Sequence, residues 1–187
     1  MGGQMKQSNK IKLHLGCGKK FINDFINIDI RDIEGIDIVD DITKLNDFDE
    51  NTVDLIYVSH VLEHFGRHKY KQVLSRWYQL LKPNGILRIA IPDFEKIVEY
   101  YSETKNLKSL LGLLYGGQDY PENFHYCIWD YETISKDLLE IGFYSVERYD
   151  WRNTEHKEID DYSQSYLPHM DKENGKLMSL NIEAKKK

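Results

Sequence analysis

Short apolar segments alternate with glycine-containing turns and amphipathic segments along most of the chain. Apolar runs bounded by turn residues are typical of buried strands, and apolar residues three and four positions apart are typical of helices. The pattern predicts strands at residues 11–15, 25–30, 36–39, 53–58, 86–91, 143–149 and 176–184. It predicts helices at residues 61–81, 94–102, 107–114 and 132–141.

The order of these elements predicts one mainly parallel α/β sheet with helices on both faces, because strands and helices alternate. Pro83-Asn84-Gly85 predicts a turn before the fifth strand, and Asp93 is the predicted N-cap of the helix after it. Gly142 is the predicted C-cap of the last helix. The last two strands are expected to be an antiparallel pair, with residues 155–174 as an irregular excursion between them.

The composition is that of a globular protein, with 41% hydrophobic and 12% aromatic residues. A length of 187 residues fits one domain, predicted at residues 11–185 after a disordered leader at residues 1–10. A formal net charge of −6 argues against a nucleic-acid partner, which would require a cationic surface.

Cysteine content and hydropathy restrict the setting of the protein. Cys17 and Cys127 are too few for a disulfide framework or a zinc cluster, so we expect free thiols in a reducing cytoplasm. No apolar run approaches the roughly 18–20 residues of a membrane span, and none is expected.

The first predicted strand ends in a glycine turn, Leu15-Gly16-Cys17-Gly18. Ligands of open α/β sheets bind at the carboxyl ends of strands, and glycines there let the backbone approach a ligand closely. The dinucleotide fingerprint requires a third glycine where this chain has Phe21. The turn therefore indicates a nucleotide-like ligand but disfavours NAD.

Acidic residues follow the next two predicted strands. Asp29 could accept hydrogen bonds from the two hydroxyls of a ribose, although an exposed strand-end carboxylate would look the same. Asp41 and the adjacent Ile42 N–H could bind an adenine, although Asp41 could equally cap a helix. The residue types alone leave both alternatives open.

Ser59-His60-Val61-Leu62-Glu63-His64 follows the fourth predicted strand. On the predicted helix, His60, Glu63 and His64 would share one face, in the inverted H-x-x-E-H order of some metallopeptidases. No third ligand is obvious, so we expect no metal site and interpret His64 as a packing residue. The late residues Glu155, His156, Asp160, Asp161 and His169 match no metal-binding loop either.

Several segments, in order and spacing, resemble the successive motifs of class I S-adenosylmethionine (SAM)-dependent methyltransferases. The resemblance covers residues 11–99 and rests on IKLHLGCGKKF, INIDI, VDDITKL, VDLIYVSHVLEHF and LLKPNGILRIAIPDF. Two later segments, LYGGQDYPENFHY and YLPHMD…LMSLNIEA, are similar to small bacterial methyltransferases associated with polysaccharide biosynthesis. The resemblance implies a Rossmann-like, mainly parallel seven-stranded sheet with an antiparallel last strand.

By position, the resemblance also implies which residues bind SAM. Leu15, Gly16, Cys17 and Gly18 would approach the cofactor, and Asp29 would bind its ribose. Asp41 and Ile42 would contact its adenine, and Ser59 and His60 would flank its methionine end.

The acceptor is expected to be a small molecule or a saccharide, methylated at oxygen. The D/N-P-P-Y/F motif of enzymes that methylate adenine or glutamine nitrogen is replaced by Ser59-His60-Val61-Leu62, which disfavours that class. A hydroxyl acceptor needs a base, and His60 and His125 are the candidates, although His125 could equally be part of an aromatic cluster. The residues expected to bind the acceptor are Asp93, Tyr120, His125 and Tyr126.

Residues 106–131 are expected to cap the acceptor pocket, unless a partner subunit of a homodimer does so. Two other functions remain compatible with the sequence. One is a SAM-binding protein without catalysis, and the other, disfavoured by Phe21, is a nucleotide-dependent oxidoreductase.

Overall fold

A computed structural model describes residues 10–187, so the predicted leader lies outside the described residues except for its last position. The strands of the main sheet follow the predicted pattern closely. They are β1 Lys12–Leu15, β2 Ile26–Asp29, β3 Ile38–Val39, β4 Val53–Ser59, β5 Leu81–Pro92, β6 Phe143–Arg148 and β9 Ser179–Lys186. A separate two-stranded sheet contains β7 Tyr166–Leu167 and β8 Lys176–Leu177.

The seven main strands lie in the order β3-β2-β1-β4-β5-β9-β6. Strands β1 to β5 pair in parallel with their neighbours, whereas β9 runs antiparallel to both β5 and β6. The predicted Rossmann-like sheet with an antiparallel last strand is therefore confirmed. In this topology the carboxyl ends of β1, β2 and β4 lie side by side at one edge, where the glycine turn and Asp29 were predicted.

The helices lie around this sheet: α1 Tyr70–Leu80, α2 Phe94–Thr104, α3 Leu111–Tyr115 and α4 Tyr131–Ile141. Asp93 caps α2 by accepting from the Lys96 N–H at 3.2 Å, as predicted. No helix of the described residues has the length and apolarity to cross a membrane.

The prediction of a continuous helix from residue 61 was wrong. The backbone of His60 is left-handed (φ 51°), a short 3-10 turn follows at Leu62–His64, and Phe65 is extended. Regular α1 begins only at Tyr70. The apolar spacing continues across the break because Leu62 and α1 pack against the same core, so periodicity does not reveal the interruption.

The prediction of one strand over residues 176–184 was also wrong, because the segment divides at Met178. The Met178 N–H donates to the Ser165 carbonyl at 2.8 Å, and its own carbonyl accepts from the Asp93 N–H at 2.9 Å. Its side chain is fully buried among Ile97, Tyr100 and Leu110, away from the main sheet. Tertiary contacts therefore separate β8 from β9.

Two further predictions needed revision. The helix predicted at residues 107–114 is a 3-10 turn at Lys108–Leu110 followed by α3. The predicted turn at residues 83–85 exists as a bulge within β5, where Asn84 has a φ of 64°. Leu81 still pairs with Val53, and Ile86 pairs with Leu55.

One face of the sheet carries the main apolar core. Alternate residues of β1, β4 and β5 point toward α1 and α4, in keeping with the two-residue period of strands. Trp77 of α1 is the largest fully buried side chain in this core. The strand residues packed with it include Leu13, Leu15, Ile56, Val58, Leu87 and Ile89.

The opposite face carries a polar row, in which His14, Tyr57, Arg88 and Glu183 are adjacent in strand register. The excursion after β6 covers this row. The Tyr57 hydroxyl donates to Asp161 Oδ2 at 2.6 Å, and Arg88 Nη1 donates to Glu155 Oε2 at 2.7 Å. The charged residues of the excursion thus satisfy buried polar groups of the sheet.

His156 lies in this cover, with its ring centroid 3.9 Å from that of Tyr57 and both ring nitrogens lacking hydrogen-bond partners. Burial, together with the nearby Arg88, lowers the pKa of His156 to about 4. Below about pH 6.5 this histidine is therefore protonated in the unfolded chain but not in the folded chain. Stability is lost as the pH falls.

We expect this residue to lower the free energy of unfolding by about 2 kcal/mol when the pH falls from 7.5 to 5. The slope approaches about 1.36 kcal/mol per pH unit below the pKa of the unfolded chain. In His156→Phe, which keeps the stacking, the decrease in unfolding free energy between these pH values should be smaller by that amount. Urea unfolding at both pH values measures it. An identical pH dependence of variant and wild type would contradict the assignment.

Candidate functional site

Three adjoining cavities open at the carboxyl ends of β1, β2 and β4. The strand-end cleft, of about 390 Å³, is lined by residues that include Gly16, Asp29, Asp41 and Ile42. The glycine-turn cavity, of about 430 Å³, is lined by Cys17, Gly18 and Ser59 among others. The histidine cavity, of about 290 Å³, includes His125. His60 and His64 line all three, so they stand where the cavities meet.

Gly16 begins the turn after β1 and has a φ of 65°. A Cβ atom at this position would lie 2.6 Å from Cγ2 of Val61, so the space admits only glycine. Burial raises the pKa of the neighbouring Cys17 thiol to about 12, which keeps it neutral. Leu15 is fully buried in the apolar core and is not among the residues that line the three cavities.

Asp29 fixes the glycine turn to the end of β2. Its carboxylate accepts from the Gly18 N–H at 2.8 Å and from Arg31 through the backbone N–H and Nε, both at 3.0 Å. Burial opposes ionisation, but these hydrogen bonds outweigh it and lower the pKa of Asp29. The carboxylate is therefore ionised and lies in the cleft, where a ligand hydroxyl could reach it.

Arg31 was not predicted as a site residue. It pairs with Asp29, lies over the Tyr120 ring at 5.2 Å from its centroid, and lines both larger cavities. The only sequence feature that indicates this contact is the spacing, an arginine two positions after a strand-end acid. A ribose bound at Asp29 would replace part of the Arg31 contact.

No helix of the described residues begins at Asp41, so its carboxylate caps a turn rather than a helix, and it also lines the cleft. Its Oδ1 accepts from the backbone N–H of Thr43 at 3.0 Å and from its hydroxyl at 2.7 Å. The adjacent Ile42 is held from behind, because Trp77 Nε1 donates to its carbonyl at 2.9 Å. The turn that Asp41 caps therefore also forms part of the wall of the cleft.

His60 follows β4 with a left-handed backbone, a conformation that is strained for a residue with a Cβ atom. Its Nδ1 lies 3.4 Å from Glu63 Oε1, and its Nε2 lies 3.2 Å from Ser179 Oγ. Burial, with His125 and His64 nearby, lowers the pKa of His60 to about 3. The ring is therefore neutral at the junction of the cavities. The neighbouring Ser59 Oγ is buried without a hydrogen-bond partner.

His125 joins Glu63 and His64 beside His60, an approach that the sequence did not predict. One ligand atom from each of the three lies within 4.8 Å of the others. Burial raises the pKa of Glu63 to about 8 and lowers the pKa of His125 to about 4. The prediction of no metal rested in part on the lack of a third ligand, and the fold brings His125 Nε2 from a distant loop to 3.9 Å from Glu63 Oε1.

The fold places the residues predicted to bind an acceptor in different cavities, and one of them lines none of the three. Tyr120 and Tyr126 line the strand-end cleft, and His125 lines the histidine cavity. Asp93 lines none of the three cavities; it is buried, caps α2 and pairs with Arg148 at 3.4 Å. Among the described residues, the late acidic and histidine residues form no metal-ligand group with one another.

Comparisons with known proteins identify the fold. A family model described as a methyltransferase domain matches residues 24–89. A SAM-dependent methyltransferase from Archaeoglobus fulgidus superposes with a TM-score of 0.58 at 17% identity, over 95% of this chain and 86% of that one. The 1,6-didemethyltoxoflavin-N1-methyltransferase of Burkholderia thailandensis, solved with bound 1,6-didemethyltoxoflavin and S-adenosylhomocysteine, gives a TM-score of 0.55 at 14% identity, over 94% and 70% of the two chains. No curated protein sequence matches significantly.

The chain has the class I methyltransferase fold. The matched domain region spans β2 to most of β5 and therefore includes Asp29, Asp41 and His60. The fold and this match support SAM as the cofactor. They leave the acceptor open, because methyltransferases of one fold act on many substrates.

Proposed function

We propose that the protein transfers the methyl group of SAM to a hydroxyl oxygen of a small-molecule or saccharide acceptor. The observation that carries the proposal is the continuity of the cavities. The strand-end cleft and the glycine-turn cavity contain the glycine turn and the ionised Asp29, and both meet the histidine cavity at His60 and His64. A cofactor in the first two cavities would direct its reactive end toward an acceptor in the histidine cavity.

Within this proposal, Asp29 binds the ribose and the segment Asp41–Ile42 contacts the adenine. The glycine turn lies along the cofactor, and Ser59 and His60 flank its methionine end. This arrangement follows the general rule that ligands of open α/β sheets bind outside the carboxyl ends of the strands. The sulfonium methyl is already activated, so the protein's main task is to align an acceptor and exclude water.

The lining of the histidine cavity favours a hydroxylated acceptor. Side chains that can hydrogen-bond to hydroxyl groups surround the histidine cavity: Ser109, Asn123, Tyr162, Ser165 and His169. Tyr120, Tyr126 and Tyr162 are exposed around the openings and offer flat apolar rings with a polar tip, which suits a sugar. The resemblance to methyltransferases associated with polysaccharide biosynthesis points to the same acceptor class.

Two histidines are the candidates for removing the hydroxyl proton. Burial keeps both His60 and His125 neutral, so each has a ring nitrogen that can accept a proton. His125 donates Nδ1–H to the Leu113 carbonyl at 2.9 Å, which leaves Nε2 as its acceptor. Residues 106–131 would then form the cap over the acceptor.

The first test is cofactor binding by calorimetry. We expect the wild-type chain to bind SAM and S-adenosylhomocysteine and not NAD. In Asp29→Asn, the loss of charge-assisted hydrogen bonds worth about 1.5–3 kcal/mol should weaken SAM binding by about 10- to 100-fold. Asp32→Asn, an exposed neighbour, is the matched control and should bind as the wild type does.

A methyl-transfer screen against nucleotide sugars, oligosaccharides and small phenols then tests the reaction. SAM binding without turnover on any of these would favour the non-catalytic alternative. Binding of NAD in place of SAM would contradict the proposal outright.

A further inference from the structure

The carboxyl group of Glu63 is fully buried without a hydrogen-bond partner in the described part of the chain. The residue is fully inaccessible to solvent, and neither of its side-chain oxygens has a hydrogen-bond partner among the described residues. A buried carboxyl group without a partner destabilises the folded state. Such groups in proteins are usually paired or coordinate a metal ion. The groups around Glu63 therefore indicate which partner it would take.

Two histidines lie beside Glu63, and each has its Nδ1 against a backbone carbonyl. His64 Nδ1 lies 3.1 Å from the Phe124 carbonyl, and His125 Nδ1 lies 2.9 Å from the Leu113 carbonyl. A carbonyl only accepts, so each Nδ1 must carry the proton and each Nε2 must carry a lone pair. Donation of the second ring N–H to a backbone carbonyl is the usual support of a metal-bound histidine.

The positions of these atoms suit a single ion. His125 Nε2 lies 3.9 Å from Glu63 Oε1, and the ligand atoms of Glu63, His64 and His125 all lie within 4.8 Å of one another. Ligand atoms around a tetrahedral zinc ion are about 3.4 Å apart, given metal–ligand bonds of about 2.1 Å. Closing the group around an ion thus requires side-chain movements of only about 1 Å.

The group also faces accessible space. His64 lines all three cavities and His125 lines the histidine cavity, so an ion held here would keep coordination positions open toward a ligand. Open positions distinguish catalytic metal sites from closed structural ones. His60 lies against the same carboxylate, with Nδ1 3.4 Å from Glu63 Oε1.

We propose that Glu63, His64 and His125 bind a divalent transition-metal ion whose open positions take the acceptor hydroxyl. Two imidazoles and one carboxylate suit zinc, iron(II), cobalt or manganese better than magnesium or calcium, which prefer oxygen ligands throughout. The metal site stands on its own geometry, whereas the role of the ion toward the acceptor rests on the proposed function.

In that role the ion acts as a Lewis acid toward the acceptor oxygen, and His125 Nε2 coordinates the ion instead of acting as the base. Coordination lowers the pKa of the hydroxyl, and its proton passes to water or to His60. The oxygen then attacks the methyl carbon, the C–S bond breaks with its electron pair remaining on sulfur, and the sulfonium becomes a neutral thioether. The products are the methyl ether, S-adenosylhomocysteine and one proton, so no other reactant is needed.

The test uses the tag-free full chain, stripped with EDTA and titrated with Co²⁺ or Zn²⁺. We expect one ion per chain by calorimetry and visible absorption bands from cobalt with nitrogen and oxygen ligands. Glu63→Gln, His64→Ala and His125→Ala should each weaken binding by at least about 100-fold. His169→Ala, which removes a histidine from the same cavities, is the matched control and should retain wild-type affinity.

The outcomes separate the two proposals. SAM binding by Glu63→Gln reports that the variant is folded, so its loss of metal is then specific. Absence of Co²⁺ and Zn²⁺ binding by the wild type, or unchanged binding in all three ligand variants, overturns the metal site. Full methyl transfer by the EDTA-treated chain overturns the role of the ion and leaves the methyltransferase proposal intact. Stoichiometric metal binding without methyl transfer leaves the metal site intact and contradicts both the proposed methyl transfer and the role of the ion in it.

Discussion

Replacing Gly16 with alanine should weaken SAM binding by about 100-fold, equivalent to about 2.8 kcal/mol. The new Cβ would lie 2.6 Å from Val61 Cγ2, at a residue whose φ is 65°. The turn must therefore shift, and it lines both larger cavities. Calorimetric titration with SAM measures the effect. We also expect a loss of about 1–3 kcal/mol of unfolding free energy, the usual cost of a strained backbone conformation.

Gly112→Ala is the control for this experiment. Gly112 lies in α3, and an added Cβ there has no neighbour within 4 Å. Alanine in a helix is more favourable than glycine by roughly 0.5–1 kcal/mol, so this variant should be at least as stable as the wild type and bind SAM unchanged. Equal SAM affinity of the Gly16 variant and the wild type would exclude the glycine turn as part of the cofactor site.

Truncating Trp77 to alanine should reduce the free energy of unfolding by about 3–5 kcal/mol, as is usual for a buried tryptophan. The side chain is fully buried between α1 and the sheet, and its Nε1 donates to the Ile42 carbonyl at 2.9 Å. Loss of this hydrogen bond also releases the wall of the strand-end cleft. We therefore expect weaker SAM binding in addition to the loss of stability.

Urea unfolding and calorimetry on the same samples measure both effects. Leu139→Ala changes a half-exposed residue of α4 and should alter stability by less than about 0.5 kcal/mol. Trp77→Phe separates the two contributions, because it keeps an aromatic ring and removes the donor to Ile42. If Trp77→Phe bound SAM as tightly as the wild type, the hydrogen bond to Ile42 would have no part in shaping the cleft.

Sequence reasoning was most accurate where a local pattern fixes the local structure. The strands predicted at residues 25–30 and 53–58 are observed at Ile26–Asp29 and Val53–Ser59, and the last predicted helix is observed at Tyr131–Ile141. The two strands are largely buried and the helix buries one face, so hydrophobic periodicity reports them directly. The errors at residues 61–69 and at Met178 occur where the chain leaves a regular element while its side chains stay in a core.

The site residues also fall into two groups: those whose proximity the sequence indicates and those that only the fold brings together. Gly16 and Asp29 stand at the ends of adjacent parallel strands, so the pattern of strands alone indicates that they meet. The approach of His125 to Glu63 has no such indication, because it depends on how a late loop folds over the sheet. The Arg31 contact with Asp29 is local, yet it depends on a rotamer that the sequence does not specify.

By itself, the sequence determined the parallel sheet, the glycine turn and the acidic strand ends, because these follow from the order of strands and from residue types within a few positions of each other. The tertiary structure decided the rest. It joined Tyr57 to Asp161 across 104 positions and His64 to the Phe124 carbonyl across 60. Periodicity tells which side of a segment faces the core, but not which distant loop covers it. The cluster of Glu63, His64 and His125 is therefore a product of the fold.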